Sequence, residues 1–133
     1  MTSTPELPAF ALAEWYCDPR DHRCPHDSWM EALEISEPAT GERHEIRTTA
    51  ATLRLLGAYH DGHVVLRYLG VQSYSLTAES SAAGLGDWLK DEFSFSADGL
   101  VVHRIHWSGR GPHREAVWVF KAREITYEWL PKS

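Results

Sequence analysis

Long apolar runs are missing from this sequence. No stretch approaches the roughly 20 residues that a membrane-spanning helix needs, and that argues against a helical membrane protein. The first ten residues hold neither a basic region nor an export-type apolar core, so a cytoplasmic protein is expected. Cysteine is scarce: Cys17 and Cys24 are too few for a disulfide-dense secreted scaffold, and in a reducing cytoplasm both are expected as thiols. Basic residues are outnumbered, with Lys and Arg totalling 13 against 19 for Asp and Glu, a formal net charge of −6. Such a surface repels phosphate backbones, so no nucleic-acid partner is expected. The same charge suits a basic protein partner. Enzyme motifs are missing too: there is no Gly-x-Ser-x-Gly, no His-Glu-x-x-His and no phosphate loop. No catalytic residue is assigned, and a non-enzyme is expected.

The chain offers alternation instead. Its 133 residues suit a single domain over 1–133, with residues 1–9, broken by Pro5 and Pro8, as a flexible N-terminal arm. A chain of this size buries about two thirds of its unfolded surface, so it needs no metal or disulfide simply to fold. Segment 29–36 is ambiguous: Ser28 and Glu31 fit the capping box of a helix start, but Trp29, Leu33 and Ile35 fit one face of a strand, spoiled only at Glu31, and Pro38 and Gly41 leave little room for a helix, so a strand is favoured. Residues 45–59 continue with Leu53, Leu55 and Tyr59 at even spacing. Asp61-Gly62 predicts a two-residue hairpin turn with a positive φ at Gly62, and Val64, Leu66 and Tyr68 run back from it. Gly70 separates that strand from one over 71–77, and the small residues of 78–87 read as a mobile loop. Strands over 88–96 and 100–107 flank a turn at Asp98-Gly99. A turn at 108–112 leads to strands over 115–122 and 125–130. The fold class is therefore mostly β: an antiparallel meander of about eight strands, with a curved sheet, a partly closed barrel and a sandwich all compatible.

Two groups of residues could carry function. Cys17, His22, Cys24 and His26 supply two thiols and two imidazoles, the ligand types of a tetrahedral zinc shell. Their C-x4-H-x-C-x-H spacing is not that of a standard zinc finger, and the competing reading is a polar loop with one partly buried thiol. Trp88, Arg104 and Trp107 fall on two strands that can pair, and suit an aromatic partner-binding surface. The competing reading is a hairpin packing its aromatics into the core. His60 and His63 flank the predicted turn and could face each other across it, whereas His103 and His106 should point to opposite faces. Asp91-Glu92 reads as solvated surface charge.

The stretch His26-Asp27-Ser28-Trp29 through Leu33 and Ile35, followed by aromatic β-hairpins, resembles a group of small bacterial β-rich proteins. Some of these are similar to immunity proteins of polymorphic toxin systems, in which a His-Asp dipeptide precedes the first strand. The segment bearing the cysteines before that dipeptide departs from the pattern. The resemblance implies no catalytic residues. It implies a non-enzymatic protein-binding module that neutralises a partner. The alternatives are a small-molecule binder using the interior of a barrel-like sheet, and a metal protein using the Cys17–Asp27 loop.

Overall fold

The computed structural model describes residues 6–78, 84–109 and 116–132. Eight strands run in chain order: β1 (Trp29–Ser36), β2 (Ala39–Thr40), β3 (Ile46–Arg47), β4 (Ala50–Leu56), β5 (Gly62–Thr77), β6 (Trp88–Phe95), β7 (Val101–Trp107) and β8 (Ala116–Pro131). Six form one antiparallel sheet in the order β1-β4-β5-β8-β7-β6, and β2 pairs with β3 in a separate ladder. Short connections make neighbours of β4 and β5, of β6 and β7, and of β7 and β8. After β5 the chain instead crosses to the far edge and returns through β8, a Greek-key connection. The loop expected to be mobile includes residues 79–83, and the turn over 108–112 includes 110–112; these lie outside the described residues. No helix among the described residues is long and apolar enough to cross a membrane.

The strand boundaries differ from those expected, for local reasons. Gly70 does not end a strand. It takes a left-handed φ of 62° beside Arg123, and with a bulge between Val71 and Ser73 it bends β5, which continues for 16 residues. Its partner β8 is likewise one strand of 16 residues, not two. In β1 a bulge falls between Met30 and Ala32, at Glu31. It puts Met30 in phase with Leu33 and Ile35 and turns Trp29 to the other face, which explains the spoiled alternation.

The β4–β5 turn is a further correction. Gly57 N–H donates to Gly62 C=O at 2.9 Å, so the loop spans four residues, not two. The left-handed residue is His60, with φ 59°, while Gly62 is not in that region. Gly62 is needed for space: a Cβ there would lie 2.5 Å from the Trp129 ring and 2.9 Å from the Leu130 carbonyl oxygen. At Asp98-Gly99 the expected turn forms, with φ 81° at Gly99 and Ser96 N–H on Leu100 C=O at 2.9 Å.

The sheet curves until its edges meet at one point. Trp88, opening β6, donates its N–H to Ser28 C=O at 2.9 Å and accepts from Asp27 N–H at 2.9 Å. The result is a curved sheet stitched at one end. Its inner face is closed by large side chains. Trp88, Trp107, Tyr68, Phe120, Leu53 and Ile105 are each less than 2% exposed. Each contributes on the order of 1.5–3 kcal/mol by leaving water. The N-terminal segment, in 3-10 turns over Ala9–Leu12 and Glu14–Cys17, lids this face: Phe10 meets Tyr16, Phe93 and Tyr127 at centroid distances of 5.5–5.7 Å. Leu7, within the arm predicted over 1–9, packs against the core; residues 1–5 lie outside the described residues. An interior filled this way leaves the barrel-lumen ligand site without space among the described residues.

Candidate functional site: a cleft backed by a buried hydrogen-bond chain

Strand phase brings four polar side chains together. Asp91 shares the alternation of Phe93 and Phe95, so it faces inward despite its charge. His103 shares that of Val101, Ile105 and Trp107, and stacks on Phe93 across the β6–β7 pair at 4.1 Å and 3°. On one side its Nδ1 meets the Tyr68 hydroxyl at 2.7 Å. On the other its Nε2 meets Asp91 Oδ2 at 2.7 Å. Tyr16, from the second 3-10 turn, donates its hydroxyl to the same Oδ2 at 2.6 Å. With the ring proton on Nε2, each contact has a donor and an acceptor: Tyr68 donates to Nδ1, while Nε2–H and Tyr16 donate to the carboxylate. Burial, reinforced by the Asp91 charge, pushes both phenols well above their ordinary range. Tyr68 and His103 have no solvent contact, whereas the Asp91 side chain keeps 13% exposure.

Asp91 thereby ends the chain at a surface cleft of about 210 Å³, between the loop over residues 16–26 and the start of β6. Tyr16, Pro19, Pro25, Trp88 and Leu89 supply its apolar wall, and His26, Lys90 and the two cysteines its polar one. The loop is anchored to the body by the Tyr59 and Tyr127 hydroxyls, which donate to Pro19 C=O and Arg23 C=O, and carries two local ion pairs, Arg20 on Asp18 and Arg23 on Asp21. Arg23 holds the Asp21 carboxyl down at about 2, and its guanidinium lies 4.5 Å from the Trp15 ring.

Three of the four candidate metal ligands, His22, Cys24 and His26, make hydrogen bonds elsewhere. Cys24 is buried, donates its thiol to Tyr16 C=O at 3.0 Å and is pushed up by burial; Cys17 is exposed. His22 stacks on Tyr59 at 3.9 Å and bonds Asp61 through Nδ1, while His26 Nδ1 bonds Leu89 C=O at 3.0 Å. Among the described residues no three His, Cys, Asp or Glu side chains stand together as a metal-holding group. Cys17, Cys24 and His26 do share the cleft wall.

The proposed recognition surface is also corrected. Trp88 and Trp107 meet edge-to-face at 5.5 Å as expected, but they are 1% and 0% exposed and belong to the core. Arg104 lies on the outer face, with Glu92 at 3.6 Å. Exposed aromatic surface is found instead at Trp29, whose Nε1 donates to Asp87 at 2.7 Å, and at Tyr59, whose hydroxyl donates to Pro19 C=O at 3.0 Å. His60 packs against Trp29 and His63 pairs with Glu31 at 2.9 Å, so the two histidines do not face each other. His103 and His106 do lie on opposite faces. No sequence motif groups Tyr16, Tyr68, Asp91 and His103; for the three on strands, the signal is their in-phase placement with apolar neighbours. Comparison with protein-family models, with curated proteins and with solved structures returns no match.

Proposed function

We propose that this chain is a non-enzymatic protein-binding module, of the kind that neutralises a partner, and that it receives a basic side chain of that partner in the Asp91 cleft. The observation that carries this reading is the fixed Asp91 carboxylate, the one carboxylate in the wall of a cleft that Tyr16, Pro19, Pro25 and Leu89 also line and whose one basic side chain is Lys90. An ammonium or guanidinium on an apolar stem matches that shape and charge. Trp29, which opens β1, and Tyr59, in the β4–β5 loop, are half-exposed and available as aromatic anchors. The non-enzymatic reading draws support from Tyr68 and His103, the groups best arranged for proton transfer, being sealed from any substrate.

The test is a pull-down from native lysate with the chain and its Asp91→Asn variant as parallel baits. Asn keeps an acceptor for Tyr16 and His103 but removes the charge. A basic protein retained in equal amount by the parent chain, and lost at least tenfold by the variant, supports the reading. No stoichiometric partner, or retention indifferent to Asp91→Asn, overturns it.

A further inference from the structure

Four stretches of open sheet edge among the described residues are built differently, and the one on β8 beyond Ala122 carries Arg123, Glu124 and Glu128. β1 carries Glu31 and Glu34, and β6 carries Lys90 and Glu92; such charges discourage strand addition. β5 is flanked by both β4 and β8 only as far as Leu69, with one further bond from Val71 N–H to Thr49 C=O. Beyond it, Ser73–Thr77 pairs with β8 alone among the described residues. From Val71 to Ala78 this chain of net charge −6 has no charged residue and no proline.

The exposed side chains on this edge also belong to the inner face. Tyr74 stands opposite Phe120 and Leu76 opposite Trp118, both core residues, yet Tyr74 is 49% and Leu76 40% exposed. The hydrophobic core thus runs out to the edge without a cover among the described residues.

We infer that Ser73–Thr77 is the self-association edge of this protein, pairing antiparallel with the same segment of a second copy about a two-fold axis at Ser75. The segment is complementary to itself in that register. Tyr74 falls opposite Leu76 of the second copy, and Leu76 opposite its Tyr74, giving two aromatic–aliphatic cross-strand pairs. Ser73 meets Thr77, and Ser75 meets Ser75. The interface is isologous and closes at two copies. It joins two six-stranded sheets and carries each core across the seam. A neutral edge is also where two acidic chains repel least. Five residues a side bury less than the roughly 1,200 Å² of a stable interface, so the dimer is weak and depends on concentration. This inference is independent of the Asp91 cleft.

Sedimentation velocity on the whole chain tests it over about 5–500 μM. The expected result is an average mass rising from that of one chain towards that of two. Ser75→Lys, which sets two ammonium groups against each other at the axis, should weaken association at least tenfold without moving the melting temperature. In a Cys17→Ser background, Ser75→Cys should form a disulfide dimer under oxidised glutathione, with two glutathione thiols released per bond; Ser73→Cys should not. The inference is overturned by a single-chain mass throughout, by a dimer that Ser75→Lys leaves intact, or by equal cross-linking at positions 73 and 75. An edge that pairs only with a different protein, the chain alone staying single, also overturns it.

Discussion

His103 and His22 have the same kinds of neighbour and opposite surroundings. His103 lies between Tyr68 and Asp91 with no solvent contact. His22 stacks on Tyr59 and bonds Asp61 with half its side chain in water. In the first case an unmade hydrogen bond strands a polar group in the core; in the second, water replaces the lost partner. Identical chemistry is therefore structural in one place and nearly free to change in the other.

Asp91→Ala is the strongest way to break this contrast. It leaves His103 Nε2–H and the Tyr16 hydroxyl without their acceptor and should cost about 3 kcal/mol in denaturant unfolding, from two buried unpaired donors. Asp61→Ala should cost no more than about 1 kcal/mol, as for an exposed pair. Equal losses at the two sites would remove the distinction.

Gly62→Val sharpens it at the exposed end, since the hairpin tip stands on a buried footing. The added Cβ meets Trp129, and a loss of about 1–3 kcal/mol is expected from overpacking. His60→Gly, at the left-handed position, should be nearly neutral in a thermal melt. A reversed order would return the positive φ to Gly62.

Alkaline pH separates the regions by titration. In the unfolded chain Tyr16 and Tyr68 ionise near pH 10, the ordinary tyrosine value; folded, they hold their protons to higher pH. Above about pH 10 the unfolded state therefore binds fewer protons, and stability falls as pH rises. Denaturant midpoints from pH 8 to 11 should decline, and less steeply in Tyr68→Phe. A phenolate absorbance that rises fully before unfolding would contradict the burial of these hydroxyls.

The thiols differ from each other in the same way. Cys24→Ser should cost at most about 2 kcal/mol through lost packing, and Cys17→Ser about 0.5 kcal/mol or less, as for a surface change. A thiol reagent should label exposed Cys17 promptly and Cys24 only on opening.

Alternation made the β content legible, along with the Asp98-Gly99 turn and the Trp88–Trp107 contact, because each depends on neighbours in sequence or on simple strand phase. The bulge at Glu31 and the bend at Gly70 were hidden because a bulge keeps the strand while shifting its phase. The Greek-key crossing is a choice among strand orders that periodicity does not encode. At the site, the charge of Asp91 points to solvent, whereas the strand phase it shares with Phe93 points inward, and the structure follows the phase. Tyr16 reaches Asp91 only through tertiary folding, from a segment far away in sequence.

The stitch between Ser28 and Trp88 bears on how quickly the molecule can form. Gly62 pairs with Pro131, and Trp88 closes onto Ser28, so contacts between distant parts of the chain dominate. Ordering long intervening loops before such contacts reward it slows the search for the native state, and folding times in the range of milliseconds to seconds are typical of this topology. The β6–β7 and β7–β8 hairpins can form early. The stitch joins residues 60 apart in sequence, and because Trp88 also lines the Asp91 cleft, the cleft's wall depends on that long-range closure.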